Sequence, residues 1–208
     1  MKKILIALPC YRTMEAESVD SLCRVLTWSG RHLEGYTVEM KMAARQQVVV
    51  ARSGLAQHAL DNGFQYILFF DDDHVWPRDI IARLLAHRKD AVSALYYRRM
   101  PPYGPVAFRG VQLSTGHVAY ERLTGDETGL QKVDAVGMGC FLLNTDILKK
   151  MEQPFFVEEG RQGSDMHFSW RIRELGTQIY LDCDTVVGHL GDRPVVGREL
   201  RDLYNADN

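Results

Sequence analysis

The most constraining feature of this chain is Tyr66-Ile-Leu-Phe-Phe70, a strongly hydrophobic run followed at once by Asp71-Asp72-Asp73-His74. A short unbroken run rich in strand formers suits a strand covered on both faces, and such strands belong to sheets with helices on either side. The three aspartates then lie at the carboxyl end of that strand, where open α/β sheets bind their ligands. Adjacent carboxylates repel, so a fold keeps them together at a cost unless something cationic offsets the charge. In an extended chain Asp71 and Asp73 point the same way, about 6.6 Å apart. At that spacing two carboxylates share one hydrated divalent ion, or straddle a metal and a ribose. Hard oxygen donors suit Mg2+ or Mn2+ rather than Zn2+. The bland alternative is a loop that exposes all three acids to water.

The flanking sequence repeats the strand-then-helix theme. Ile4–Leu8 is an apolar run ended by Pro9. Ser18–Trp28 carries Val19, Leu22, Val25 and Leu26 at helical spacing, with Gly30 beyond. Thr37–Met42 alternates like a strand, and Val49–Leu60 is a helix stopped by Asn62-Gly63. Pro77 opens a helix bearing Ile80, Ile81, Leu84 and Leu85, and Ala91–Tyr97 is a further strand. This order predicts a mostly parallel central sheet with helices on both faces. Residues 98–132 hold Pro101, Pro102 and Pro105 among scattered apolar positions, which predicts loops with short antiparallel strands. Ala135–Leu143 reads as a strand, with Asn144 or Thr145 capping a short helix to Met151. Asp165–Leu175 spaces Phe168, Ile172 and Leu175 as a helix face that Gly176 ends. Gln178–Leu181 and Thr185–Val187 read as closing strands. No clean linker divides the chain, so one domain over 1–208 is expected.

Composition narrows the class. With 46% hydrophobic and 25% charged residues, the 208-residue chain is neither disordered nor fibrous. A formal net charge of -2 gives no global sign of a nucleic-acid binder. The four cysteines form no CxxC pair, which argues against a zinc knuckle and for a reduced, cytoplasmic chain. No segment approaches the ~20 apolar residues of a membrane span. Met-Lys-Lys before the first apolar run suggests a signal peptide, but Pro9 and Arg12 cut the run short, and a buried first strand fits better.

Several single residues admit two readings each. Asp165, at the start of a predicted helix, is a plain N-cap or a general base held by the helix dipole. His189, between Gly188 and a strand end, is structural or a metal ligand. Arg52, near a helix start, is a surface charge or a phosphate contact. Tyr96-Tyr97-Arg98-Arg99 stacks on an acceptor ring and pairs with a phosphate, or shields an edge strand. Gly137 and Gly139 mark a close backbone approach to a ligand, or a bulge.

Four segments in order carry a resemblance: Phe70-Asp-Asp-Asp-His74; Val133-Asp-Ala-Val-Gly-Met-Gly-Cys-Phe-Leu-Leu143; Gly163-Ser-Asp-Met-His-Phe168 with Trp170–Gly176; and Gly188-His-Leu-Gly191. Together they resemble the GT-A type nucleotide-sugar glycosyltransferases of the large, mostly inverting family that includes small bacterial and phage members. The resemblance implies a GT-A (Rossmann-like) fold, with residues 1–100 as a nucleotide-sugar-binding half and 101–208 as an acceptor-side half. It implies that Asp73 binds the metal, that Asp71 contacts the ribose or a metal-bound water, and that His189 is a further ligand. It implies that Asp165 is the catalytic base. It places Pro9, Cys10 and Tyr11 along the base and ribose, with Arg52 and Asp72 at the nucleotide. The implied cofactors are Mn2+ or Mg2+ with a UDP-sugar donor. The implied acceptor is a saccharide hydroxyl or a hydroxymethylated DNA base. One departure is visible: the family's usual Glu before the base is Ser164 here. Two other readings stand beside this one. A nucleotidyltransferase usually has a Gly-rich, Lys-containing loop after the first strand, and Pro9-Cys-Tyr-Arg-Thr13 is not one. A non-catalytic sugar-nucleotide binding module finds its hint in Ser164.

Overall fold

The computed structural model describes residues 1–114, 117–158, 163–191 and 197–206. The chain opens with β1 (Lys2–Cys10), α1 (Ala16–His32), β2 (Tyr36–Ala44), α2 (Val48–Asp61) and β3 (Tyr66–Phe70). Then come a two-residue strand β4 (His74–Val75), α3 (Ile80–Ala86) and β5 (Ala91–Leu95). The middle holds β6 (Ala107–Ser114), β7 (His117–Arg122), β8 (Leu130–Val133), β9 (Ala135–Val136) and β10 (Cys140–Asn144). The last part is α4 (Ser164–Glu174), β11 (Ile179–Val186), β12 (Gly188–His189) and α5 (Arg198–Ala206).

Seven strands make one sheet in the order β2-β1-β3-β10-β5-β11-β8. β2, β1, β3, β5 and β11 run one way, and β10 and β8 run against them. Alternation along β1 shows how both faces are covered. Leu5 and Ala7 join Leu55 and Ala59 of α2 and Phe168 and Ile172 of α4. Ile4, Ile6 and Leu8 join Leu22 and Val25 of α1 and Ile80 and Leu84 of α3. The mostly parallel α/β sheet expected from the sequence is therefore present, as a Rossmann-like arrangement. The Pro-rich middle folds into an antiparallel sheet of order β7-β6-β9. β12 pairs with β4, which sets His189 opposite His74. No helix among the described residues is long and apolar enough to cross a membrane.

Three local expectations change. The run Ala135–Leu143 is not one strand. It breaks at Gly137-Met138-Gly139, so β9 joins the small sheet and β10 inserts between β3 and β5. The break has a steric cause: a Cβ at Gly137 would lie 1.8 Å from the Tyr96 hydroxyl, and one at Gly139 would lie 2.6 Å from His74 Nε2. These glycines make room for the side chains of Tyr96 and His74. Second, the helix expected up to Met151 is one 3-10 turn, Leu148–Lys150. Thr145 does not cap it; its hydroxyl donates to the Phe64 carbonyl at 2.6 Å. Third, the two closing strands are the single strand β11, whose register slips between Asp182 and Val186. The Asp182 carboxylate accepts the Asp184 and Thr185 amides at 3.0 and 3.2 Å, which ties down the slip.

An aromatic group ties α4 to the centre of the sheet. Phe156 and Phe168 stack with centroids 4.1 Å apart, and Phe69 of β3 meets Phe156 edge-on at 5.4 Å. Burying each such ring stabilises the fold by about 1.5–3 kcal/mol. The packing also fixes the first turn of α4 beside the end of β3.

Candidate functional site

The carboxyl ends of β1 and β3, the start of α2, the β5 exit and β12 surround one open cleft of about 750 Å3. Pro9, Cys10 and Tyr11 form one wall, Gln46–Val49 and Arg52 another, and Asp71, Asp72 and Asp73 the end. Arg99, Glu158 and His189 complete the lining. The acidic triplet is not extended. The chain turns at Asp72 and Asp73, so the three carboxylates diverge toward different partners.

Asp71 and Asp165 share one guanidinium. Arg52 Nη2 donates to Asp71 Oδ1 at 2.7 Å, and Arg52 Nη1 donates to Asp165 Oδ1. Arg52 is only 4% exposed. Burial alone would lower its pKa, but Asp165 and then Asp71 outweigh burial and move it up, so the guanidinium stays charged. Asp165 also accepts the Met138 amide at 3.2 Å and the Ser164 hydroxyl at 3.2 Å. Ser164, which stands where the family's Glu was expected, thus supports its neighbour's carboxylate. Gly163 occupies the N-cap of α4, and Asp165 lies in the first turn.

Asp72 faces Cys10. Burial raises the Asp72 pKa, the bond from the Cys10 thiol opposes the rise, and the charges of Asp73 and Asp71 add to it. The thiol itself is pushed up to about 11, by burial first and Asp72 second. It stays protonated at neutral pH and serves as a donor rather than a nucleophile.

Asp73 sits among cationic and imidazole groups. His74 Nδ1 lies 2.9 Å from Oδ1, while His189 Nε2 and Arg99 Nη1 lie 3.2 and 3.4 Å from Oδ2. Burial would raise the Asp73 pKa, but the bonds from His189 and His74 and their charges hold it well below the usual carboxylate range. His189 Nδ1 lies 2.7 Å from the Tyr97 carbonyl, which can only accept, so that nitrogen carries a hydrogen. Its pKa is lowered by burial but raised more by Asp73, for a net upward shift. The rings of His74 and His189 stack at 4.3 Å, and Tyr96 meets His74 edge-on at 4.7 Å. This packing locks both imidazoles in orientation. The potential ligand atoms of Asp73, His74 and His189 all lie within 4.8 Å of one another.

The donor set fits a divalent cation. With Nδ1 committed to Tyr97, a neutral His189 turns a bare Nε2 toward the Asp73 carboxylate. Two lone pairs facing at that distance repel unless a proton or a metal lies between them. A carbonyl behind a ligating imidazole is the usual outer support of a metal-bound histidine. His74, with Nδ1 on Asp73 and Nε2 buried without a partner among the described residues, orients the carboxylate.

Pro9, Tyr11, Arg52, Asp71, Asp72, Asp73 and His189, all named from the sequence, line this one cleft. Asp165 is joined to it through Arg52. Asp71 lies outside the cluster of Asp73, His74 and His189 and faces Arg52 instead. The sequence reading gave no role to His74 or Glu158. The place of His74 beside the triplet was the one available signal.

The sequence matches no protein-family model and no curated protein. Similar solved structures exist. A197 from STIV has a TM-score of 0.67 at 16% identity, covering 96% of this chain and 91% of that one. GalNAc-T7, solved with UDP, GalNAc and Mn2+, has a TM-score of 0.57 at 14% identity over 90% of this chain. This chain spans 43% of that structure's length. At such identities the likeness is one of fold. The fold is GT-A-like.

Proposed function

We propose that the protein is a metal-dependent glycosyltransferase that moves a sugar from a nucleotide-sugar donor, a UDP-sugar, to a saccharide hydroxyl with inversion. The observation that carries this reading is the pairing of Asp73 with a tautomer-fixed His189 in a cleft at the carboxyl end of β3. The GT-A-like fold supports it, as does the neighbour solved with UDP, GalNAc and Mn2+.

Each need of the reaction has a residue. Asp73 and His189 would hold Mn2+ or Mg2+, which when bound offsets the charge of the diphosphate leaving group. Pro9 and Tyr11 line the wall where a base and ribose fit, with Asp72 near the ribose. Asp71, held by Arg52, fixes the inner end of the cleft. Asp165 keeps 30% of its side chain exposed, enough to meet an acceptor hydroxyl. It takes the hydroxyl proton as the acceptor oxygen bonds to the sugar carbon and the carbon–phosphate oxygen bond breaks. Residues 1–100 supply most of the donor side, and 101–208 supply the acceptor side with Asp165 and return His189 to the donor's metal. Among the described residues no feature speaks for a modified DNA base as acceptor.

The test is a thermal-shift and transfer screen of nucleotide sugars with Mn2+ or Mg2+. A donor at a hundredfold excess over Kd should add about 2.7 kcal/mol of stability, and UDP should appear when a saccharide acceptor is supplied. Asp73→Ala should abolish the metal-dependent part of both signals while the protein stays folded. Full activity in that variant sinks the assignment. Pyrophosphate release from nucleoside triphosphates would instead identify a nucleotidyltransferase.

A further inference from the structure

Arg99 stands apart from the other cations of the site. The loop that carries it is closed at its base. The Arg98 amide donates to the Gly104 carbonyl at 3.0 Å, the Tyr103 amide to the Met100 carbonyl at 3.1 Å, and Tyr97 bridges Pro105. The Arg99 backbone is therefore anchored at the cleft rim. Its side chain is not: it is 60% exposed, against 5% for Arg52, and a single contact of 3.4 Å joins it to Asp73 Oδ2. That oxygen is the one His189 Nε2 also faces. An exposed pair of this length contributes little binding energy, so a divalent cation competing for the same oxygen can displace the guanidinium.

We propose that Arg99 is an exchangeable counter-ion: it covers Asp73 while no divalent cation is bound, yields that carboxylate to the cation, and then pairs with the donor's diphosphate. The inference rests on the metal-dependent reading above and adds a phosphate-binding residue to it. A guanidinium suits the second task because its planar fork matches phosphate oxygens two at a time. The anchored loop suits the exchange, since only side-chain torsions need change. The two roles give opposite signs for one substitution. Losing Arg99 removes a competitor for the cation and also removes a ligand for the phosphates.

Calorimetric titration of the full chain with Mn2+ alone, and then with UDP at saturating Mn2+, separates these effects. In Arg99→Met, Mn2+ alone should bind about two- to fivefold more tightly, the size of an exposed ion pair. UDP should bind roughly ten- to a hundredfold more weakly, the size of a charge-assisted hydrogen bond. Arg99→Lys should recover part of the UDP affinity. Arg98→Met, which removes the same charge from the same loop, should change neither. Unchanged or weaker Mn2+ binding in Arg99→Met overturns the exchange, and unchanged UDP binding overturns the phosphate role. A wild-type protein that binds neither Mn2+ nor UDP overturns the glycosyltransferase reading itself, an outcome distinct from wild-type binding that Arg99→Met leaves untouched.

Discussion

Asp71 and Asp73 are two residues apart, yet their charges are met in opposite ways. Asp71 shares with Asp165 one guanidinium that is almost fully buried at the wall of the cleft. Asp73 is met by two imidazoles and an exposed arginine, groups that exchange protons, swing away or accept a metal. The first arrangement is a fixed brace across β3, α2 and α4. The second is a seat whose occupant can change. The lesson is that an acidic motif read as a unit divides on folding: one acid is fixed to a buried guanidinium, and another meets groups that can be exchanged.

The largest expected effect is on the brace. Arg52→Met leaves Asp71 and Asp165 without their shared counter-ion; breaking a fully buried pair from one side costs about 3–5 kcal/mol, and the partial exposure of both carboxylates puts the expected loss at the lower end of that range. Chemical denaturation should show that loss, whereas Asp73→Ala should cost far less. If the two variants are equally destabilised, the contrast fails.

Gly139→Ala probes the seat from below. Its methyl would press on His74 at 2.6 Å and on Tyr96 at 3.1 Å. Overpacking of this kind costs about 1–3 kcal/mol. Mn2+ affinity should fall with it, because His74 orients Asp73. Normal Mn2+ binding in a destabilised Gly139→Ala would show that His74 is packing alone.

The smallest effect is a pH dependence. His189 must lose its proton to ligate, so Mn2+ affinity should fall by about tenfold per pH unit once pH drops below its raised pKa. In the metal-free protein the sign reverses. A raised folded pKa adds stability below the ordinary histidine value, and that stability disappears as pH rises through the folded value. Opposite slopes for metal binding and metal-free stability are the expected result. Parallel slopes would remove His189 from the seat.

Much of this was legible in the sequence, and the gaps have physical causes. β1, β3 and β5 are buried strands, and local hydrophobicity reveals them. The place of β10 was hidden, because Ala135–Leu143 reads as unbroken and the obstruction at Gly137 and Gly139 comes from Tyr96 and His74, far away in sequence. Asp71, Asp73, Asp165 and His189 carried a motif. The Arg52–Asp165 pair, 113 residues apart, carried none. His74 looked like the end of an acidic run, and its role depends on β12 returning beside β4.

The insertion of β10 also bears on how the chain is made. β3 and β5 are complete by Leu95, but the strand that joins them ends only at Asn144. Until then a growing chain carries two of its most apolar strands with open edges, the kind of surface that recruits other chains. Pairing across so many residues is also slow. Aggregation during synthesis should therefore depend on how quickly residues 96–144 follow, and fragments ending before β10 should be the ones that precipitate.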